Sequence, residues 1–191
     1  MRRLARLALF SLLLVPRLLA AQSGKGPQVF LDRGPDIGTE APDFTLSWAN
    51  SDTVGTDADA YGLWRDRGKV VVLAFYPRDF TKTDSLQLST FRDRYEDLFG
   101  ADVVVLGVST DPLQTHHRFA AKLGLPFRLL SDPDQTVAAK YGSKDTGATN
   151  RRTVYVIGRD GLVRWRDVRF QPNDPKAYEA LRRAVRAASR G

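Results

Sequence analysis

Residues 69–95 read KVVVLAFYPRDFTKTDSLQLSTFRDRY, and the fold turns on how this stretch changes character along its length. Lys69 to Tyr76 is an apolar, β-branched run without polar alternation, the pattern of a strand covered on both faces. Pro77 ends the run as a turn former, having no N–H to add to a ladder. Beyond it Leu86, Leu88, Phe91, Tyr95, Leu98 and Phe99 recur at mostly helical spacing, while Arg92, Asp93, Glu96 and Asp97 fall on a polar side. A second apolar run, DVVVLGVS at 102–109, follows and predicts another central strand.

The same two periods organise the rest of the chain. LQTHHRFAAKLG predicts a helix ended by Gly124, FRLLSD a short strand, and QTVAAKYG a short helix closing at Gly142. TVYVIGRDGLVRWRDV is two strand-like runs joined around Arg159, Asp160 and Gly161, and Asp-Gly is a strong hairpin signal. A last helix is expected from Pro175 to Ser189. The expected fold class is α/β, with a central mixed β-sheet flanked by helices on both faces. Residues 22–38, rich in Gly and Pro, read as a flexible linker ahead of a domain spanning 39–191.

The first 21 residues have the form of a signal peptide: a basic start in MRRLAR, a short apolar segment, and small residues at Ala20 and Ala21. The apolar stretch from Leu7 to Val15 is far shorter than the roughly 20 residues that span a bilayer. Export, to the periplasm or the extracellular space, is therefore expected. The leader also carries Arg2, Arg3, Arg6 and Arg17, so of the chain's net charge of +7, only 25 basic against 22 acidic residues, +3, stay with the rest. That balance, without interleaved aromatic and basic residues, points away from nucleic acid. No membrane association is expected once the leader is cut.

The chain contains no cysteine, which excludes disulfides and every thiol mechanism. Asp84, at the turn into the first helix, reads locally as a helix N-cap, with Gln87 at capping-box spacing after it. His116 and His117 are adjacent and cannot share a helix face, so they read as solvated helix surface; no metal site and no cofactor are expected. Asp132 and Asp134 in SDPDQT read as a turn and helix cap. Ser85 and Ser89 lie outside any nucleophile elbow.

The segments APDFTL, GKVVVLAFYPRDFT, FRDRYEDL, VVVLGVSTD, HHRFAAKLGLPFRLLSDPDQTVAAKYG and RRTVYVIGRDGLV, in that order from about Gly38 to Val168, together resemble the peroxiredoxins. The resemblance is to the bacterioferritin-comigratory, or Q-type, branch of the AhpC/TSA superfamily, and implies a thioredoxin-like fold. Members reduce hydroperoxides, in antioxidant defence and redox homeostasis, through a cysteine in a Pro-x-x-x-Thr-x-x-Cys motif. An Arg on a later strand assists, and a thioredoxin-type donor resets the site. On this pattern Pro77 and Thr81 fall on the motif Pro and Thr, and Arg152 on the family Arg. Asp84 stands at the nucleophilic cysteine and Ser89 at the resolving cysteine of many members. Phe80 and Lys82 depart from the commoner Asp and Pro.

Peroxide reduction needs a thiolate that attacks the O–O bond and becomes a sulfenic acid; a carboxylate has no such oxidation ladder. The resemblance therefore implies the family's scaffold with its peroxidase reaction lost. Thr81, Asp84 and Arg152 would then form a binding site for a small anionic or peroxide-like ligand, or the surface would receive a protein partner. Two other readings are a non-thiol enzyme, such as a hydrolase with Asp84 as general base, and a scaffold for a thiol protein acting in trans. Thr81 has two uses open to it, a hydrogen bond into the pocket or one to its local backbone.

Overall fold

The computed structural model describes residues 34–191; the leader and residues 22–33 of the expected linker lie outside them. The elements are β1 (Thr45–Leu46), β2 (Trp48–Ala49), β3 (Tyr61–Gly62), β4 (Val70–Phe75), α1 (Lys82–Asp93), α2 (Tyr95–Leu98), β5 (Val103–Ser109), α3 (Leu113–Leu123), β6 (Arg128–Ser131), α4 (Thr136–Lys140), β7 (Thr153–Ile157), β8 (Val163–Asp167) and α5 (Pro175–Arg190). The main sheet has the order β2-β6-β5-β4-β7-β8, and β1 pairs separately with β3.

The two apolar runs are the central strands, as their composition predicts. β4 pairs parallel with β5 and antiparallel with β7, and β5 pairs parallel with β6, so the sheet is mixed. Successive β4 side chains leave on opposite faces. Val70, Val72, Ala74 and Tyr76 join a core with Leu88 and Phe91 of α1, Phe119 of α3 and Leu181 of α5. Val71, Leu73 and Phe75 join a second core with Phe44, Tyr61 and Val137, Ala138 and Tyr141 of the α4 region. Helices cover both faces, and each fully buried aliphatic or aromatic side chain contributes about 1.5–3 kcal/mol.

The hairpin forms where expected, with β7 and β8 antiparallel and Gly161 at φ 81, a left-handed turn position that suits glycine. Gly124, also left-handed at φ 60, ends α3. Two local readings change. The single helical stretch expected after Pro77 is two helices, broken at Arg94, and Leu86 is 42% exposed rather than on the apolar side. The last residues of the segment read as a linker are tied to β8, where Arg166 donates to the carbonyls of Gly34 and Pro35.

Buried tyrosines, Tyr61, Tyr76 and Tyr141 foremost, are expected to make this fold less stable at alkaline pH. Burial pushes the Tyr61, Tyr76 and Tyr141 hydroxyls up from the ordinary 10.0, and the Asp66 and Asp79 carboxylates beside Tyr61 and Tyr76 add to the effect. Below that value all three hydroxyls keep their protons whether the chain is folded or not. Above it the unfolded chain releases protons that the folded chain retains, so stability falls by about 1.4 kcal/mol per pH unit for each tyrosine. Urea unfolding between pH 8 and about pH 11.5 is expected to show a plateau and then a steep loss; a flat profile would contradict this reading.

Candidate functional site

β4 delivers the chain to Tyr76, and a five-residue loop, 77–81, carries it to α1. That loop is fastened from inside. The Tyr76 hydroxyl donates to Asp79 Oδ1 at 2.7 Å, and Asp79 Oδ2 lies 2.8 Å from His116 Nδ1. The other ring nitrogen of His116 lies 3.2 Å from the Leu130 carbonyl, so the ring bridges the loop to β6. The Asp79 N–H donates to Asp111 Oδ2 at 2.8 Å, which also accepts from the Ser109 hydroxyl at 2.7 Å. His116 is thus not solvated surface: it is fully buried, while His117 is half-buried and bonded to the Asn50 carbonyl. The signal was present in the spacing, since His116 shares the stripe of Phe119, Ala120 and Leu123.

The fastened loop places Thr81, not Asp84, at the N-cap of α1; Asp84 is the third helical residue. Two cap-forming residues three apart allow two registers, and the tertiary contacts of Asp79 select the earlier one. The Thr81 hydroxyl serves both uses open to it. It accepts the Asp84 N–H at 3.1 Å and donates to Asp84 Oδ2 at 2.5 Å. The Arg78 N–H donates to the same oxygen at 3.2 Å.

Arg152 arrives from the other side of the sheet. It lies one residue before β7, and the antiparallel register that sets Thr153 against Phe75 brings it to the end of β4 from which the loop departs. Its Nη1 donates to Asp84 Oδ1 at 2.5 Å and to Gln87 Oε1 at 2.6 Å. Arg151, its neighbour, has its Nε 3.9 Å from an Asp145 carboxylate oxygen. The expected residues Thr81, Asp84 and Arg152 therefore converge, and Pro77 sits in the loop that assembles them. Ser89 lies farther along α1, half-buried and outside the network.

Gln87 was read only as a capping partner. It is instead the fourth polar member, fully buried one helical turn beyond Asp84, and its Nε2 has no hydrogen-bond partner among the described residues. Phe80, 45% exposed, is held at φ 60, uncommon for a bulky residue, with its ring against Phe119 and Lys122. Asp132 behaves as read: its carboxylate accepts the N–H groups of Thr136, Val137 and Ala138 and caps α4.

The chemistry follows from how the carboxylate is already paired. Asp84 is 1% exposed, and the Arg152 side chain 14%. The carboxylate accepts from a hydroxyl, a backbone N–H and a guanidinium, which are the donors an incoming anion would need. Each is already engaged by the protein's own side chain.

The chain is similar to known proteins over most of its described length. The AhpC/TSA family model matches residues 37–166. The chain is 36% identical over 166 residues to chloroplastic peroxiredoxin Q of Triticum aestivum, covering 85% of this chain and 71% of that one. It is 30% identical over 158 residues to peroxiredoxin Bcp of Bacillus subtilis, covering 77% and 95%. The crystal structure of peroxidoxin BcpB from Mycobacterium tuberculosis superposes with a TM-score of 0.67 at 27% identity, covering 80% of this chain and 97% of that one.

Proposed function

Because this chain belongs to the AhpC/TSA family, on its Bcp and peroxiredoxin Q branch, and lacks the cysteine its relatives' motif carries, we propose that it has exchanged peroxide reduction for a binding role. One observation carries the reading: the Asp84 carboxylate takes up the Thr81 hydroxyl, the Arg78 N–H and Arg152. A negative charge fixed there stands in for the thiolate and keeps the loop, α1 and the start of β7 together. It does so without a nucleophile for the O–O bond.

The binding role belongs to the outside of this scaffold rather than to the old pocket. A peroxide-sized ligand would have to displace Asp84 from its own donors. A general base at Asp84 would need a substrate or water within about 2.6–3.2 Å of a carboxylate that is almost entirely enclosed. The purified protein, given hydrogen peroxide and a thioredoxin-type reducing system, is expected to consume no peroxide beyond buffer; turnover would overturn the proposal.

Export is part of the same reading and rests on the basic, apolar and small-residue pattern of residues 1–21. Protein recovered from the exported fraction is expected to begin near Ala21 or Gln22. An intact leader on all of it would contradict cleavage.

A further inference from the structure

The Asp84 group lies beyond the C-terminal end of β4. A different set of residues gathers where β4 and β6 begin. Lys69 immediately precedes β4, Arg128 opens β6, and Arg65 lies in the 3-10 turn Leu63–Asp66. With Trp48 and Tyr61 they line a cavity of about 410 Å³, bordered also by Asp59 and Asp66. That volume falls within the roughly 300–1,000 Å³ of small-molecule sites.

The charges in this cavity are unequally committed. Asp66 is buried and engaged at both carboxylate oxygens, accepting the Tyr61 hydroxyl at 2.6 Å and Lys69 Nζ at 2.9 Å. Asp59 accepts the Thr56 hydroxyl at 2.7 Å, and its backbone carbonyl holds the Trp48 indole N–H at 2.9 Å. Arg128 instead rests on an aromatic face, its guanidinium carbon 4.7 Å from the Trp48 ring centre, and Arg65 stands 5.4 Å from the Trp64 ring. Neither arginine has a carboxylate partner or a side-chain hydrogen bond among the described residues. Stacking fixes the plane of a guanidinium and leaves its N–H edge free, which is the geometry that receives a carboxylate or phosphate in two parallel hydrogen bonds.

We propose that this cavity binds a small organic anion, its carboxylate or phosphate group held by Arg128 and Arg65 with Lys69 beside them. Asp66, engaged by Tyr61 and Lys69, positions those two side chains and makes no ion pair with either arginine. The site is remote from Asp84 and stands whether or not the chain has lost peroxidase chemistry.

The test is a titration of the protein with phenyl phosphate and with phthalate, followed by ¹⁵N NMR. The Trp48 indole resonance is expected to shift saturably while that of Trp165 stays fixed, and added salt is expected to weaken binding. Arg128→Gln and Arg65→Gln should each raise Kd by about tenfold or more, the worth of a charge-assisted hydrogen bond, while Arg190→Gln leaves it unchanged. Both arginines are exposed, so unchanged spectra elsewhere will report intact folds. Saturation by one probe alone supports the site and assigns it to phosphate or to carboxylate compounds. No saturation by either, an unaltered Kd in Arg128→Gln, or equal binding of uncharged benzyl alcohol would overturn the proposal.

Discussion

Asp84→Ala is expected to destabilise the protein by about 3–5 kcal/mol, because it strands a guanidinium that is largely out of water. In a domain of this size each kcal/mol moves the midpoint by about 2–4 °C, so the loss should approach or exceed 10 °C. The mechanism is the asymmetry of buried pairs: together the two ions add little net stability, but removing one leaves the other uncompensated. Here the remainder would be severe, since Arg152 keeps only Gln87 Oε1, and the Thr81 hydroxyl and Arg78 N–H lose their common acceptor. Adding Arg152→Ala to Asp84→Ala should therefore cost much less than Arg152→Ala does alone. Additive losses across the double-mutant cycle would show that the contact carries no coupling.

Asp84→Asn refines the expectation. It conserves shape and keeps one carbonyl oxygen for Arg152, but it turns an amide NH₂ toward the Arg78 N–H, donor against donor. Its stability should fall between those of the natural protein and Asp84→Ala. A value equal to the natural protein's would mean that the charge of Asp84 is irrelevant to the loop.

The central strands, the hairpin turn and the end of α3 were legible because each is written locally: apolar runs at 69–76 and 102–109, Asp160-Gly161, and Gly124. β1, β2 and β3 are two residues each, too short to show an alternation, and they exist because a neighbouring strand accepts them. The site was legible in part for the same reason. Thr81, Asp84 and Arg152 were found through an ordered set of motifs, and Gln87 was visible one turn from Asp84. Which residue caps α1 was not legible, since Thr81 and Asp84 offer two local solutions and Asp79 decides between them from outside the helix. His116 shows the complementary limit. Its place on an apolar stripe was readable, but its partner Asp79 lies 37 residues away, joined to it only by the fold.

The second large expectation concerns what remains of the pocket. If Asp84 stands where the thiolate stood, Asp84→Cys should put a sulfur beside Arg152 at the start of α1. Both features favour a thiolate: the positive end of a helix and an adjacent guanidinium. The side chain is of similar size, and the donors now held by the carboxylate become free to orient a peroxide. The most direct test is hydrogen peroxide consumption by the natural protein and by Asp84→Cys, side by side, with a thioredoxin-type reducing system. The account predicts no turnover by the natural protein and thiol-dependent turnover by the variant, abolished again when Arg152→Ala is added. Peroxide reduction by the natural protein, or an inert but folded Asp84→Cys, would contradict it.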